Sequence, residues 1–400
     1  MPEFTAWAAR CCVMLEGGKP ANDILWFLGE DVDHKPNERS PFPHGYKYDY
    51  VNRDALMNRI TVKDGRFVEP GGTSWNVLWV PPSSRSYVSE EVKVKIREFS
   101  KAGGKVVYGR AGKEGIDFSK AVEGFKPDVV CGPDMKGRSL TDWRKNEQQI
   151  EWLHRKDDGR DWYFVSANGM NAYKGEVTFR MEGDVSVWDP VTGEVSEPTV
   201  LRTGGGSTTL LMDIAPAEDM FVVFAHRPGK DGRVLKSAKL PSEDDFRDLR
   251  NIREWNLSFP AGWGVPESIA LDRLVSWTEL PVPDDGRHFS GTATYTAKFE
   301  GRKGETVVLD LGEVEFVADV FVNGRKVRTL WGHPYRCEIG AFVKDGGNEL
   351  RIDVTSTWFN RLAYDSNLPE KERKTWTIAA PPKGTLPRPA GLLGPVTLRR

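Results

Sequence analysis

The stretch VADVFVNGRKVRTL, residues 317–330, decides the fold of the last part of the chain. At its centre, Asn323-Gly324 follows alternating valines and is the strongest short-range signal for a tight β-hairpin. The same alternation of apolar and polar residues occurs in residues 293–299 and 350–355. Because this alternation is typical of half-buried strands, and turns separate the segments, residues 251–400 are predicted to form a jelly-roll β-sandwich.

A different pattern, in which strands alternate with helices, occupies residues 21–145. Val77–Val80 is predicted to be a buried strand, Ser89 to begin a helix, and Lys105–Tyr108 to be the next strand. A strand–helix–strand unit implies parallel strands joined by a right-handed crossover. We therefore expect a small doubly wound α/β domain of the amidotransferase-like class.

The other segments complete a multidomain organisation of α/β and all-β parts. Apolar residues recur at helical spacing in residues 2–17, so residues 1–20 are predicted to be a terminal helix. The apolar face of this helix needs a packing partner, which we expect outside the chain. Residues 146–228 change to a period of two and are predicted to form a small β domain, and the charged residues 229–250 a linker.

Composition argues against several classes of function. The net charge is only −2 over 400 residues, which gives no electrostatic reason to expect nucleic acid or an anionic membrane as partner. No apolar run is long enough to predict a membrane span. The first residues lack a secretory signal pattern, which predicts a cytoplasmic protein if Met1 is the natural start and otherwise leaves a periplasmic or extracellular one open. The cysteines have neither metal-site nor disulfide spacing: Cys11, Cys12, Cys131 and Cys337.

The segment PHGYKYDYVN, residues 43–52, is the first candidate site. Tyr46, Tyr48, Asp49 and Asn52 would offer aromatic faces to the C–H face of a sugar ring, and polar groups to its hydroxyls. The same residues suit a structural loop in which Asp49 or Asn52 caps the next helix. Both interpretations stay open.

The second group of candidates lies in the predicted jelly roll. Trp331 and Trp358 are two of fourteen tryptophans in the chain, and Asn360 and Asp365 follow a predicted strand. Tryptophan at these positions indicates either core packing or sugar stacking. We name all four as candidate carbohydrate-binding residues at the rim of the sandwich.

The motifs of the chain, taken in order, resemble a known family of enzymes. DILWFLGED, PHGYKYDYVN and VKDGRFVEPGGTSWNVLWVPP are similar to the region that follows the catalytic barrel in glycoside hydrolase family 106 α-L-rhamnosidases. FSGTATYTAKF, LDLGEVEFVADVFVNGRKV and NELRIDVTSTWFNRLAYD resemble the galactose-binding-like jelly roll shared with family 2 glycosidases. The resemblance covers nearly the whole chain.

The resemblance implies an activity whose catalytic groups lie elsewhere. In that family, two glutamates on a (β/α)₈ barrel catalyse inverting hydrolysis, and a calcium ion is bound. A barrel needs eight strand–helix units, and the chain shows only two or three. We therefore assign no catalytic residue, no metal site and no cofactor to this chain, and expect residues 1–20 to be the last helix of the missing barrel.

The function expected from the resemblance is an accessory part of an α-L-rhamnosidase-like hydrolase that acts on complex carbohydrate, such as plant polysaccharide. Its expected partners are carbohydrate and a missing or separately encoded barrel. Two alternatives stay open, namely a stand-alone carbohydrate-binding module and a structural partner of a separate catalytic chain. They differ in whether the isolated chain binds a sugar.

Overall fold

The computed structural model describes residues 2–31, 42–43, 45–81, 87–109, 111–112, 115–116, 119–132, 150–167, 172–226 and 249–399. The chain divides into two compact units, residues 1–238 and 239–400. Most of the predicted linker, 229–250, lies outside the described residues.

The described residues of the first unit form three α-helices and many short strands. The helices are α1 (Pro2–Glu16), α2 (Arg53–Asn58) and α3 (Glu90–Lys101). Its described strands are β1 (Lys19–Pro20), β2 (Ile24–Phe27), β3 (Tyr48–Val51), β4 (Thr61–Lys63), β5 (Arg66–Val68), β6 (Ser74–Trp75), β7 (Val77–Val80), β8 (Lys105–Tyr108), β9 (Ala111–Gly112), β10 (Gly115–Ile116), β11 (Val129–Cys131), β12 (Ile150–Lys156), β13 (Arg160–Ala167), β14 (Tyr173–Phe179), β15 (Asp184–Trp188), β16 (Val195–Ser196), β17 (Thr199–Thr203), β18 (Thr208–Ile214) and β19 (Asp219–Ala225).

A parallel sheet of order β3-β2-β7-β8 forms the α/β part of this unit. The predicted helix between β7 and β8 is α3, and Ser89 accepts a hydrogen bond from the backbone N–H of Val92 as its N-cap. The parallel pairing expected for this strand–helix–strand unit is confirmed. β4, β5 and β6 form a separate antiparallel sheet, as the Asp64-Gly65 turn allows, and β9 pairs with β10.

Two antiparallel sheets form the β part of the first unit. One has the order β1-β12-β13-β19-β15-β16, and the other the order β11-β14-β18-β17. Their inward side chains share one apolar cluster, with Trp152 and Tyr163 from the first sheet and Val177, Phe179 and Leu210 from the second. The part is therefore a small sandwich, in which alternate residues of each strand face the core.

Helix α1 packs on this sandwich. Cys11 and Met14 share a buried cluster with Trp162, Phe221 and Val223 of β13 and β19. The indole Nε1 of Trp162 also donates to the carbonyl oxygen of Met14 at 2.8 Å. The expectation that the packing partner of this helix lies outside the chain is therefore wrong for its buried face. The helical periodicity defined an apolar face, but it carried no information on which surface covers it.

The second unit is antiparallel throughout its main sheets. Its elements are β20 (Leu249–Asn251), β21 (Trp255–Ser258), β22 (Ser268–Leu271), α4 (Asp284–Arg287), β23 (Thr292–Gly301), β24 (Val308–Asp310), β25 (Glu313–Glu315), β26 (Val317–Val322), β27 (Arg325–Leu330), β28 (Arg336–Glu338), β29 (Gly346–Thr355), α5 (Phe359–Asn367), β30 (Gly391–Gly394) and β31 (Thr397–Arg399). The sheets have the orders β22-β21-β23-β29-β26-β27, β20-β31-β24-β28 and β25-β30.

The predicted hairpin joins β26 to β27, and Asn323 occupies its turn with a positive φ of 51°. Its side chain also reaches the neighbouring chain segments. The amide nitrogen donates to the carbonyl oxygen of Phe342 at 3.0 Å and to Oδ1 of Asn348 at 2.8 Å, and its Oδ1 accepts from the backbone N–H of Glu349 at 3.1 Å. One turn residue therefore ties the hairpin to β29 and to the segment before it.

Candidate functional site

A buried histidine lies between two aspartates in the first unit. Nδ1 of His154 is 2.8 Å from Oδ2 of Asp128, and its Nε2 is 2.7 Å from Oδ1 of Asp161. Asp161 also binds Nε2 of His226. All but His226 are buried. We refer to Asp128, His154, Asp161 and His226 as the His154 network.

The backbone explains why these side chains meet. His154 is an inward residue of β12, whose burial alternates along the strand, and Asp161 is the second residue of the adjacent β13. Tyr163 lies on the same face of β13, stacks on the His154 ring with centroids 4.0 Å apart, and donates to Oδ1 of Asp128 at 3.0 Å. The network is thus built into the core of the sandwich.

Interactions within the His154 network shift the pKa values of His154 and Asp161 in favour of their charged forms. Burial opposes the charged form of His154, but the carboxylates of Asp128 and Asp161 outweigh it and raise the pKa of the imidazole to about 9. Burial raises the pKa of Asp161, but the hydrogen bonds and charges of His154 and His226 hold it below its ordinary value. At neutral pH the imidazole of His154 is therefore mainly in its charged form.

A cavity of about 320 Å³ borders this network. Asp23, the residue before β2, also lines the cavity and accepts from Nδ2 of Asn76 at 2.7 Å and from Arg180 at 2.8 Å, both through Oδ1. Its second oxygen, Oδ2, is buried and has no hydrogen-bond partner among the described residues. The lining residues are Ala21, Asp23, Arg66, Asn76, His154, Lys156, Asp161, Arg180 and Met181.

A second charged cluster lies in the second unit and centres on Arg361, which is fully buried. Its guanidinium binds Asp285 and Asp365, and Nζ of Lys374 lies 2.7 Å from Oδ2 of Asp285. Oδ2 of Asp365 also accepts from the backbone N–H and Oγ1 of Thr375, at 2.7 and 2.6 Å. We refer to Arg361, Asp285, Asp365 and Lys374 as the Arg361 network.

The four candidates of residues 43–52 have internal partners. The hydroxyl of Tyr46 donates to the carbonyl oxygen of Phe125 at 2.8 Å, and the ring of Tyr48 packs on Trp26. Oδ2 of Asp49 accepts from Nε1 of Trp75 at 2.8 Å. Asn52 caps α2 through the backbone N–H of Ala55, as the structural interpretation predicted. Tyr46 and Tyr48 share one apolar cluster, and the carbohydrate-binding role of all four stays a prediction.

The four candidates of the predicted jelly roll differ in their burial and in their partners. Asn360 is buried and exchanges hydrogen bonds with the backbone of Arg388, at 2.7 and 2.8 Å. Asp365 belongs to the Arg361 network. Trp331 is half-buried after β27, whereas Trp358 is half exposed and its ring lies 6.1 Å from that of Trp263. Of these four, Trp358 presents the most accessible aromatic face, and sugar binding by the group stays a prediction.

Two carboxyl groups at the start of β19 have pKa values shifted towards neutrality. Burial raises the pKa of Glu218 to about 7 and that of Asp219 to about 6, and the charge of Asp189 adds to both shifts. A carboxyl group that is half protonated at neutral pH is a candidate general acid. However, Asp219 accepts from Nε1 of Trp7 at 3.2 Å, and Oε2 of Glu218 accepts from the backbone N–H of Ala215 at 2.7 Å, so each group already has its own internal donor. The arrangement is therefore not that of two carboxyl groups directed at one substrate.

The described residues contain no group of three or more His, Cys, Asp or Glu side chains arranged to hold a metal. None of the described helices is long and apolar enough to cross a membrane.

Two family models match the chain. Residues 2–117 match the α-L-rhamnosidase model of glycoside hydrolase family 106, and residues 287–387 match the glycosyl hydrolase 2 galactose-binding domain-like model. A curated protein of Formosa agariphila, named "Putative beta-glucuronidase", is 38% identical over 135 residues, which are 32% of this chain and 11% of that protein.

A solved structure matches the chain almost from end to end. The rhamnosidase from Novosphingobium sp. PP1Y has a TM-score of 0.73 and 26% sequence identity, over 99% of this chain and 40% of that one. The chain therefore spans less than half of the rhamnosidase and about a tenth of the curated relative. The resemblance predicted from the motifs is confirmed: residues 2–117 are similar to the family 106 α-L-rhamnosidases, and residues 287–387 to the galactose-binding-like domain of the glycosyl hydrolase 2 type.

Proposed function

We propose that the chain is the accessory part of an α-L-rhamnosidase-like glycoside hydrolase and contributes no catalytic carboxyl group. The observation that carries the proposal is the structural match, which covers 99% of this chain but only 40% of the rhamnosidase. The remaining part of such an enzyme would supply the barrel and its two glutamates, which must lie roughly 6.5–9.5 Å apart in an inverting hydrolase. Within the described residues, Glu218 and Asp219 do not form such a pair.

The surface around α1 supports this role. Val13 of α1 is largely exposed, and a mainly apolar groove of about 420 Å³ lies beside it, lined among others by Met14, Trp188, Pro190 and Phe221. Exposed apolar surface of this kind suits a contact with another folded part. We assign it to the contact with the barrel part of the enzyme.

The test is an assay of the purified 400-residue chain on an aryl α-L-rhamnoside. We expect no turnover above that of a blank. Glu218→Gln serves as the decisive variant, because burial raises the pKa of Glu218 to about 7. Turnover by the wild-type chain that this substitution abolishes would contradict the proposal.

A second candidate function is carbohydrate binding by the jelly roll, favoured by the exposed rings of Trp358 and Trp376. Calorimetric titration with a rhamnose-containing oligosaccharide should then give a saturable signal that Trp358→Ala removes. Tyr108→Ala removes an equally exposed ring in the other unit and is the control. A flat titration at millimolar sugar would exclude this function.

We also infer that the parallel sheet belongs to a doubly wound domain. Support comes from apolar clusters on both faces of the sheet. Leu25, Leu78 and Phe99 belong to one cluster, and Trp26 and Trp79 to the other, which also contains residues of the short helix Ser119–Val122.

A further inference from the structure

The polar cavity beside the His154 network has one buried acceptor that the protein leaves unused. Oδ2 of Asp23 has no partner among the described residues, although the residue is only 2% exposed. A buried carboxylate oxygen without a hydrogen bond destabilises the folded protein, because water is removed from it and nothing replaces it. A ligand or a water molecule that donates to this oxygen would remove that cost.

The same cavity also holds an unused donor. Nζ of Lys156 makes no ion pair or hydrogen bond within the described part of the chain, whereas Arg180 and His154 are paired with aspartates. The cavity therefore presents one lone acceptor and one lone ammonium, while the guanidinium of Arg66, which also lines it, donates to Ser74 and Asn76. A single hydroxyl group both donates and accepts, so a ligand rich in hydroxyl groups satisfies both atoms.

Other chemistries fit the cavity less well. An anion would meet the free oxygen of Asp23, and a metal ion lacks three suitable ligands among the described residues. The volume of about 320 Å³ lies at the lower end of the roughly 300–1,000 Å³ typical of small-molecule sites. Ala21 and Met181 give the lining apolar surface for C–H groups.

From these observations we propose that this cavity is a binding site for a neutral monosaccharide unit, with Asp23 and Lys156 as the two residues that bind its hydroxyl groups. The site lies wholly in residues 1–238. The proposal does not depend on the accessory role proposed above.

The experiment is calorimetric titration of the full chain with methyl α-L-rhamnoside, methyl β-D-galactoside and methyl β-D-glucoside, each up to 50 mM. We expect saturable, millimolar-range binding of at least one of them. Asp23→Asn should weaken it about tenfold, and Lys156→Met, which keeps the aliphatic stem, about fivefold, as expected for loss of one hydrogen bond to a charged group. Circular dichroism at the titration temperature verifies that each variant is folded, and Lys156→Met keeps the test valid if Asp23→Asn does not fold.

The matched controls are Asp213→Asn and Lys174→Met, which break an exposed pair 3.6 Å apart outside the cavity. Both should bind like the wild type. Three results would overturn the proposal: no saturable binding of any of the three glycosides, equal affinity in the wild type and Lys156→Met, or binding that only Trp358→Ala removes. The last result would place the sugar on the jelly roll instead, and none of these results bears on whether the chain hydrolyses a rhamnoside.

Discussion

The His154 network and the Arg361 network each place a buried cation between two carboxylates, but they differ in what surrounds them. In the Arg361 network, the segment after α5 supplies further donors to both carboxylates. Thr375 donates twice to Asp365, and Lys374 binds Asp285. The His154 network borders a cavity in which Asp23 and Lys156 keep unused polar groups.

This difference distinguishes buried charges that stabilise the fold from buried charges beside a site that a ligand could occupy. Where every carboxylate oxygen has a partner, the ions fix a loop, and their removal is expected to damage the fold. Where an oxygen is left without one beside a cavity, the folded chain retains a cost that a bound molecule can relieve. The predictions below test that distinction, from the largest expected effect to the smallest.

The largest effect is expected for Arg361→Met. Because the substitution leaves Asp365 buried without its cation, it should lower the free energy of unfolding by about 3–5 kcal/mol. Urea unfolding of the full chain, followed for the transition of residues 239–400, measures the loss. Lys326→Met removes the cation of an exposed pair with Asp319 in the same unit and should change it by less than about 0.5 kcal/mol. Equal effects of the two variants would show that the Arg361 network does not stabilise the fold.

The second effect concerns pH. The folded pKa of His154, about 9, lies above its ordinary 6.5, so its contribution to stability is complete below pH 6.5 and is lost as the pH rises to 9. The loss should be on the order of 3 kcal/mol in the unfolding free energy of the first unit. Urea unfolding at several pH values measures it.

The control for the pH prediction is His154→Gln, which cannot titrate. Its stability should be lower at pH 6.5 and should depend much less on pH between 6.5 and 9. The raised pKa of Glu218, about 7, does not produce this slope, because its destabilising ionisation takes place mainly between pH 4.5 and 7. An unchanged slope in the variant would assign the pH dependence to other groups.

A smaller effect is expected for Asn52→Ala. The side chain caps α2, so its removal should cost about 1 kcal/mol of stability. If Asn52 is purely structural, any sugar affinity of the chain stays the same, whereas a selective loss of affinity without loss of stability would support the carbohydrate-binding interpretation. Thermal unfolding and calorimetry on the same preparation separate the two.

The smallest effect is expected for Lys156→Met. Since its ammonium has no partner in the described part of the chain, the substitution should change stability by less than about 0.5 kcal/mol while it weakens sugar binding. Chemical denaturation provides the measurement. A loss of several kcal/mol would mean that Lys156 has a structural role, and the cavity would then resemble the Arg361 network.

The sequence predicted those features that depend on neighbouring residues. Asn52 and Ser89 cap the helices that follow them, and the strand–helix–strand pattern correctly indicated parallel pairing. Asn323-Gly324 forms the expected hairpin. Each of these depends on a local preference of the backbone, which a few residues determine.

The polar cavity could not be predicted in the same way, because its residues are brought together by tertiary structure. Asp23 and Arg180 are separated by more than 150 positions and meet only when the sheets are assembled. One signal was present. His154 follows Ile150 and Trp152 at alternate positions, which places an ionisable side chain on the buried face of a strand.

The side chain of Asn323 has a consequence for protein engineering. In an isolated hairpin, Asp-Gly and Asn-Gly turns are nearly interchangeable. Here an aspartate would lose the amide donor to Phe342 and Asn348 while it kept the backbone geometry. A turn residue chosen from hairpin statistics alone would therefore suit the local conformation but lose the hydrogen bonds from the turn to Phe342 and Asn348. Grafting or consensus design on this scaffold should therefore keep the asparagine at position 323.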